Sequence, residues 1–324
     1  MLARTSSNKG LRFISIAVML MLIAPALLHA ATRITFKSAK STSSYYQMAV
    51  QIGEALKKGS QGDILVTLEE SQGSVQNVKE MAHRQGNYVF TTPPGLVKLA
   101  KKGAKMFRDA NPKYQDIRGL FIIPSLTMHM VVRKDSGIKT FADLEGKKFL
   151  IGKGSFGARE AEKYLELFGL KGKVDLVGVE LNAAVQAMQN GKIDGFATSG
   201  SYPAPNVIEA AAGVDIDLLS FSDEQIALTK RTRLVIPANT YAGVDHDVTT
   251  TSLPVGVYTS TAMDNETAYQ ITKTFWEQKD IMGKANPWWD AVTFASIEAL
   301  SIPLHPGAAR YYKEMDVTIP ATLQ

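Results

Sequence analysis

The chain has 324 residues, a formal net charge of +5, a pI near 9.1 and no cysteine. The lack of cysteine excludes disulfides, thiolate chemistry and a lipid-anchored lipoprotein, so a core must hold the fold; this length can bury one large or two moderate domains. Nucleic-acid binding is excluded too, because no basic stripe is interleaved with aromatic residues.

The basic excess belongs to the start of the chain. Arg4, Lys9 and Arg12 precede an almost unbroken apolar segment over 13–28, and Leu28-His29-Ala30 before Ala31 has the small residues of a cleavage site. This pattern predicts a secretory signal peptide over 1–30; Pro25 favours cleavage over a retained membrane anchor. Cleavage removes three basic residues and no acid, which leaves 294 residues at +2. An exported, cysteine-free chain suits a bacterial periplasm.

A repeated pattern follows: short strand, polar loop of small residues, amphipathic helix. Residues 34–36 are the first strand, the loop 38–44 is rich in hydroxyls, and Tyr45, Ala49, Ile52 and Leu56 recur at helical spacing. Ser43 or Ser44 is the expected N-cap. Residues 64–68 form the next strand, before a loop over 69–74 and a helix marked by Val75, Val78 and Ala82 and capped by Ser74. Residues 88–91 are strand-like and end in Thr92-Pro93-Pro94-Gly95, before a helix over 96–102. Residues 117–123 and 128–133 read as two strands separated by Pro124-Ser125-Leu126, an expected crossover between lobes.

The stretch 148–163, KFLIGKGSFGAREAEK, organises the second half. Phe149, Leu150 and Ile151 fit a buried strand, the turn from Gly152 to Gly157 holds three glycines, and Ala161, Tyr164, Leu165 and Phe168 then recur at helical spacing. Unpaired N–H groups at the helix start, with Lys153 and Arg159 nearby, predict an anion site. The same turn fits G-x-G-x-x-G, a dinucleotide fingerprint, with Asp175 and Glu180 as candidates for its distal acid. Export argues against that use, since NAD is not expected to be plentiful outside the cytoplasm.

Strands over 174–179, 193–197 and 216–220 alternate with helices, which predicts a mainly parallel α/β sheet. From Leu234 the chain is expected to return to the first lobe, with a last strand over 253–258 and helices over 266–278, 287–300 and 306–314 bracing it. The expected architecture is α/β with two lobes, residues 31–124 with 238–324 and residues 125–237, and a ligand cleft between them.

Several segments then resemble one family. Gln72-Gly73-Ser74-Val75-Gln76-Asn77, the turn 152–159, residues 194–205, Tyr241-Ala242-Gly243 with Asp247-Val248, and the stretch 302–312 (IPLHPGAARYY) are similar to the TAXI family of TRAP-transporter solute receptors. The resemblance spans essentially the whole mature chain. It implies a periplasmic, type II-like binding fold that closes on a small organic acid or amino acid, such as glutamate or a related C5 acid. It also implies delivery of that ligand to TRAP membrane subunits. A monomer is expected. Two departures fall where the resemblance places the ligand: Lys40-Ser41-Thr42-Ser43-Ser44 replaces a glycine-rich loop, and Thr91-Thr92-Pro93-Pro94-Gly95 replaces a Gln-x-Asp-like strand end.

Ligands of open α/β sheets sit at the carboxyl ends of strands. Four loops are therefore expected to face one cleft: Ser43, Ser44, Tyr45 and Tyr46; Gln72, Gly73 and Ser74; Lys153, Gly154, Ser155, Phe156, Gly157 and Arg159; and Ser199, Gly200 and Tyr202. Helix N-termini and serine hydroxyls would hold carboxylate oxygens, Arg159 would clamp one by two hydrogen bonds, and Tyr202 and Tyr241 would act as lids. The plainer alternatives are that the serines only cap helices, that Arg159 is a surface charge, and that the tyrosines only pack. His305 is expected to organise the C-terminal turn, and Trp288 and Trp289 to pack a helix onto the first lobe. No nucleophile elbow occurs, since G-x-S-x-G would need glycine at Lys153, and Asp245-His246-Asp247 has no second cluster to complete a metal site. No enzyme activity, cofactor or metal is expected. A periplasmic sensor of the same fold and an NAD-dependent enzyme remain as alternative functions.

Overall fold

Three strand–loop–helix units open the fold: β1 (Thr32–Lys37) and α1 (Ser44–Gly59), β2 (Ile64–Glu69) and α2 (Ser74–Met81), β3 (Tyr88–Thr92) and α3 (Pro94–Lys101). The computed structural model describes residues 1, 30–153 and 155–324; Gly154 and the interior of the expected signal peptide lie outside them. β1 pairs in parallel with both β2 and β3, because a helical crossover returns the chain to the same end of the sheet. α1 buries Tyr45, Met48, Ala49, Ile52 and Leu56, the stripe that the helical spacing predicts.

β4 (Ile117–Arg133) follows as one strand of 17 residues, not the two that were expected. Beyond it come β5 (Lys148–Leu150), α4 (Phe156–Leu167), β6 (Asp175–Val177), α5 (Ala184–Gln189) and β7 (Gly195–Gly200). Then come α6 (Pro205–Gly213), β8 (Ile216–Leu218), α7 (Asp223–Thr229) and β9 (Thr232–Ile236). The chain ends in β10 (Val248–Ser260), α8 (Asn265–Ala285) and α9 (Pro306–Glu314). The helix expected over 287–300 is instead two 3₁₀ segments, Pro287–Ala291 and Phe294–Leu300.

The strands form one curled sheet in the order β2-β1-β3-β10-β4-β7-β5-β6, with β8 added to β4 and β9 to β10. It is mixed, not mainly parallel: the two long strands run antiparallel to each other and to β3, β7, β8 and β9. Their irregularity falls at two prolines. Leu126 pairs with Leu253 and Ile123 with Val255, so Pro124 and Ser125 oppose Pro254 alone. Proline cannot donate to a ladder, and such a two-against-one bulge tolerates it inside a long strand.

Alternate residues of the central strands feed opposite faces of the sheet. Met130, Val132 and Phe149 join the larger apolar cluster, whereas Val131 and Leu150 join a second one with Phe196, Val207 and Tyr241. Residues 32–324 form one compact unit. The C-terminal segment is tied to its start: Trp289 donates to Gln51 Oε1 at 2.7 Å, Tyr312 to the Leu120 carbonyl at 2.8 Å, and Phe275 stacks on Phe121. His305 caps α9, taking the Gly307 N–H at 3.2 Å.

Candidate functional site

The loops after β1, β2, β5 and β6, with Ser199 near the end of β7, converge on one cavity of about 70 Å³. Ten of the predicted residues line it: Ser43 and Tyr45; Gln72, Gly73 and Ser74; Lys153, Ser155, Phe156 and Gly157; and Ser199. Gly154, between two of them, lies outside the described residues.

The three helices that begin here differ in how their first turns are satisfied. Ser43 caps α1, taking the Tyr46 N–H at 3.2 Å while donating to the Lys40 carbonyl at 2.7 Å. Ser155 caps α4 in the same way, taking the Ala158 N–H at 2.9 Å and donating to the Gly152 carbonyl at 3.0 Å. α2 has no side-chain cap. Its N-cap is Gly73, with φ at +109°, and Ser74, expected as the cap, is instead the first helical residue. The N–H groups of that first turn, beside the cavity that Gly73 and Ser74 line, lack the capping oxygen that α1 and α4 have.

Two close approaches bring the loops together. A Cβ at Gly157 would run into Ser199 Oγ, and one at Gly200 would sit 2.6 Å from Ser44 Oγ. Glycine at both positions lets α4 and the start of α1 close onto β7. Ser44 is thereby used up as a structural tie, accepting from the Ser201 N–H at 2.9 Å, and neither it nor Gly200 lines the cavity. Tyr45 lines it, while its hydroxyl donates to the Pro124 carbonyl at 3.1 Å and burial holds the phenol well above its ordinary range. Tyr46 is half-buried and outside the cavity.

Three predicted residues go elsewhere. Arg159 is exposed and lines surface grooves with Glu162, because two residues along a helix from Gly157 is a turn of about 200°. Tyr241 is no lid. Its side chain is core, 2% exposed, and its hydroxyl takes the Ala204 N–H at 2.8 Å and meets His129 Nε2 at 2.8 Å. His129 Nδ1 faces the Thr127 carbonyl at 3.2 Å, so that nitrogen carries the proton and Nε2 accepts from Tyr241. Burial pushes His129 down to about 4. Tyr202 lines a second cavity, of about 480 Å³, with Pro124, Pro254 and Trp288; among the described residues, no charged side chain lines it.

Lys40, from the first loop that departs from the family pattern, and Glu180, which the sequence did not place here, also line the first cavity. Lys40 Nζ lies 3.2 Å from Glu180 Oε2, and Gln72 Nε2 donates to Glu180 Oε1 at 3.1 Å. The available signal was position: Glu180 follows β6 as Gln72 follows β2, at a strand's carboxyl end.

Chemically, the site offers backbone donors, hydroxyls and ammonium groups around a small space, which suits an anion. Among solved structures, one from Bordetella bronchiseptica RB50 is 17% identical, with 89% of this chain and 90% of that one covered at a TM-score of 0.51. MatC from Rhodopseudomonas palustris with bound malate is 11% identical, covering 77% of this chain and 85% of its own at a TM-score of 0.51. A TRAP periplasmic solute binding protein from Actinobacillus succinogenes 130z with bound L-galactonate is 15% identical, with coverage of 88% and 92%, and overlaps less, at 0.43. The first two share this chain's mixed α/β fold. The family model described as NMT1-like matches residues 36–315, and the chain belongs to the NMT1-like family.

Proposed function

We propose that the protein is a periplasmic solute-binding receptor of the TAXI type, exported by a signal peptide over residues 1–30. It captures a small carboxylate or amino acid and passes it to TRAP membrane subunits. Its two lobes are residues 31–124 with 238–324 and residues 125–237, hinged on β4 and β10 where Pro124 and Ser125 oppose Pro254. Ligand in the cavity touches loops of both lobes and so favours the closed arrangement, which the membrane subunits recognise. The carrying observation is the convergence of four strand-end loops on one cavity, with the uncapped start of α2 as the carboxylate seat. MatC, which shares the fold, has bound malate, a small acid. Arg159 has no part in this seat.

A melting-temperature screen of the purified protein against mono- and dicarboxylates, amino acids and NAD tests the proposal, since a ligand of the native state raises the midpoint by mass action. A rise with small acids is expected. Ser74→Pro adds a control: proline fits the first helical position, keeps α2, and removes one N–H and the hydroxyl from the seat. It should weaken acid binding about tenfold, the worth of one charge-assisted hydrogen bond, with little change in the unliganded midpoint. A shift with NAD and none with acids would establish the nucleotide alternative instead.

A further inference from the structure

The formal charges around the cavity restrict what it can accept. Among the described residues, the charged side chains lining it are Lys40, Lys153 and Glu180. Glu180 reaches from beyond β6 to the loops after β1 and β2, 3.2 Å from Lys40 Nζ and accepting from Gln72 at 3.1 Å. The Gln72 amide and then Lys40 hold its carboxyl below the ordinary glutamate range, so it is ionised at neutral pH. Lys153 has no ion-pair partner among the described residues. Glu70, outside the lining, is occupied by the Ser41 N–H at 2.8 Å.

Two cations and one anion leave a single unmatched positive charge. On the basis of the receptor reading above, we propose that Glu180 is the specificity-determining residue of this cavity, neutralising Lys40 so that the ligand is a small acid of net charge −1. The second carboxylate of a dianion meets Glu180 itself and finds Lys40 already paired. Size acts in the same direction, since the cavity is small, at about 70 Å³. The Lys40–Glu180 pair is half-exposed, so its value lies in charge matching more than in stability.

The test is calorimetric titration of matched pairs, butyrate with succinate and 2-hydroxybutyrate with malate, into the wild type, E180Q, K40Q and the E180Q/K40Q double variant. The wild type should prefer the monoanion of each pair. E180Q frees Lys40 and should move the ratio about tenfold toward the dianion, the effect of one charge at close range in partly screened surroundings. K40Q should widen the monoanion preference by a similar factor. The double variant restores the original charge count and should return to the wild-type ratio, which a merely structural strap between loops would not do. A wild type that binds acids, with a ratio unchanged within about twofold in E180Q and K40Q, would overturn the selector alone. A wild type that binds none of the four, and whose melting temperature no small acid or amino acid raises, overturns the receptor reading and the selector with it.

Discussion

His129 shows how one buried residue makes the protein sensitive to acid. Its ring is enclosed between the Thr127 carbonyl and the Tyr241 hydroxyl, an arrangement that suits the neutral form. The unfolded chain takes up a proton near pH 6.5, whereas the folded chain resists it until about 4. Between those values the unfolded state binds more protons, so stability falls as pH drops through that window and levels off below it. The full effect is about 3 kcal/mol, and burial of His305 acts in the same direction. Chemical denaturation between pH 7 and 4 should show this slope, and His129→Gln should flatten it; an unchanged slope would place the acid sensitivity elsewhere.

The helix α4 depends on an ion pair that the sequence did not disclose. Arg231, just before β9, donates twice to Glu160 at 2.9 and 2.8 Å, and the Glu160 side chain is only 8% exposed. Arg231→Met would leave a buried carboxylate unpaired and should cost about 3 kcal/mol in urea denaturation, with most of it recovered when Glu160→Gln is added. A cost below about 1 kcal/mol would mean that water reaches the carboxylate. The elements themselves were mostly legible. Apolar spacing in α1 and α4 and the short apolar runs of β1, β2 and β5 carry their own periodicity. Pro124 was misleading, because a proline normally interrupts a strand and only pairing with Pro254, 130 positions away, reveals the bulge that accommodates it. The antiparallel β4 and β10 were hidden for the same reason: pairing is non-local.

For the whole molecule, strand-end loops were a sound guide to the cavity, since the topology forces them to one end of the sheet. Side-chain direction was not readable in the same way. Arg159 falls on the wrong side of α4, Tyr241 turns into the core, and Glu180 and Lys40 meet across 140 residues of sequence. The central claim is that this cavity, not the larger uncharged one beside Trp288, receives the ligand. The most direct measurement is electron density from crystals grown with the acid that raises the melting temperature most. The carboxylate is expected among Ser74, Ser155 and Ser199, with its oxygens on the first turn of α2. Density in the cavity beside Tyr202 and Trp288, or against Arg159, would contradict it.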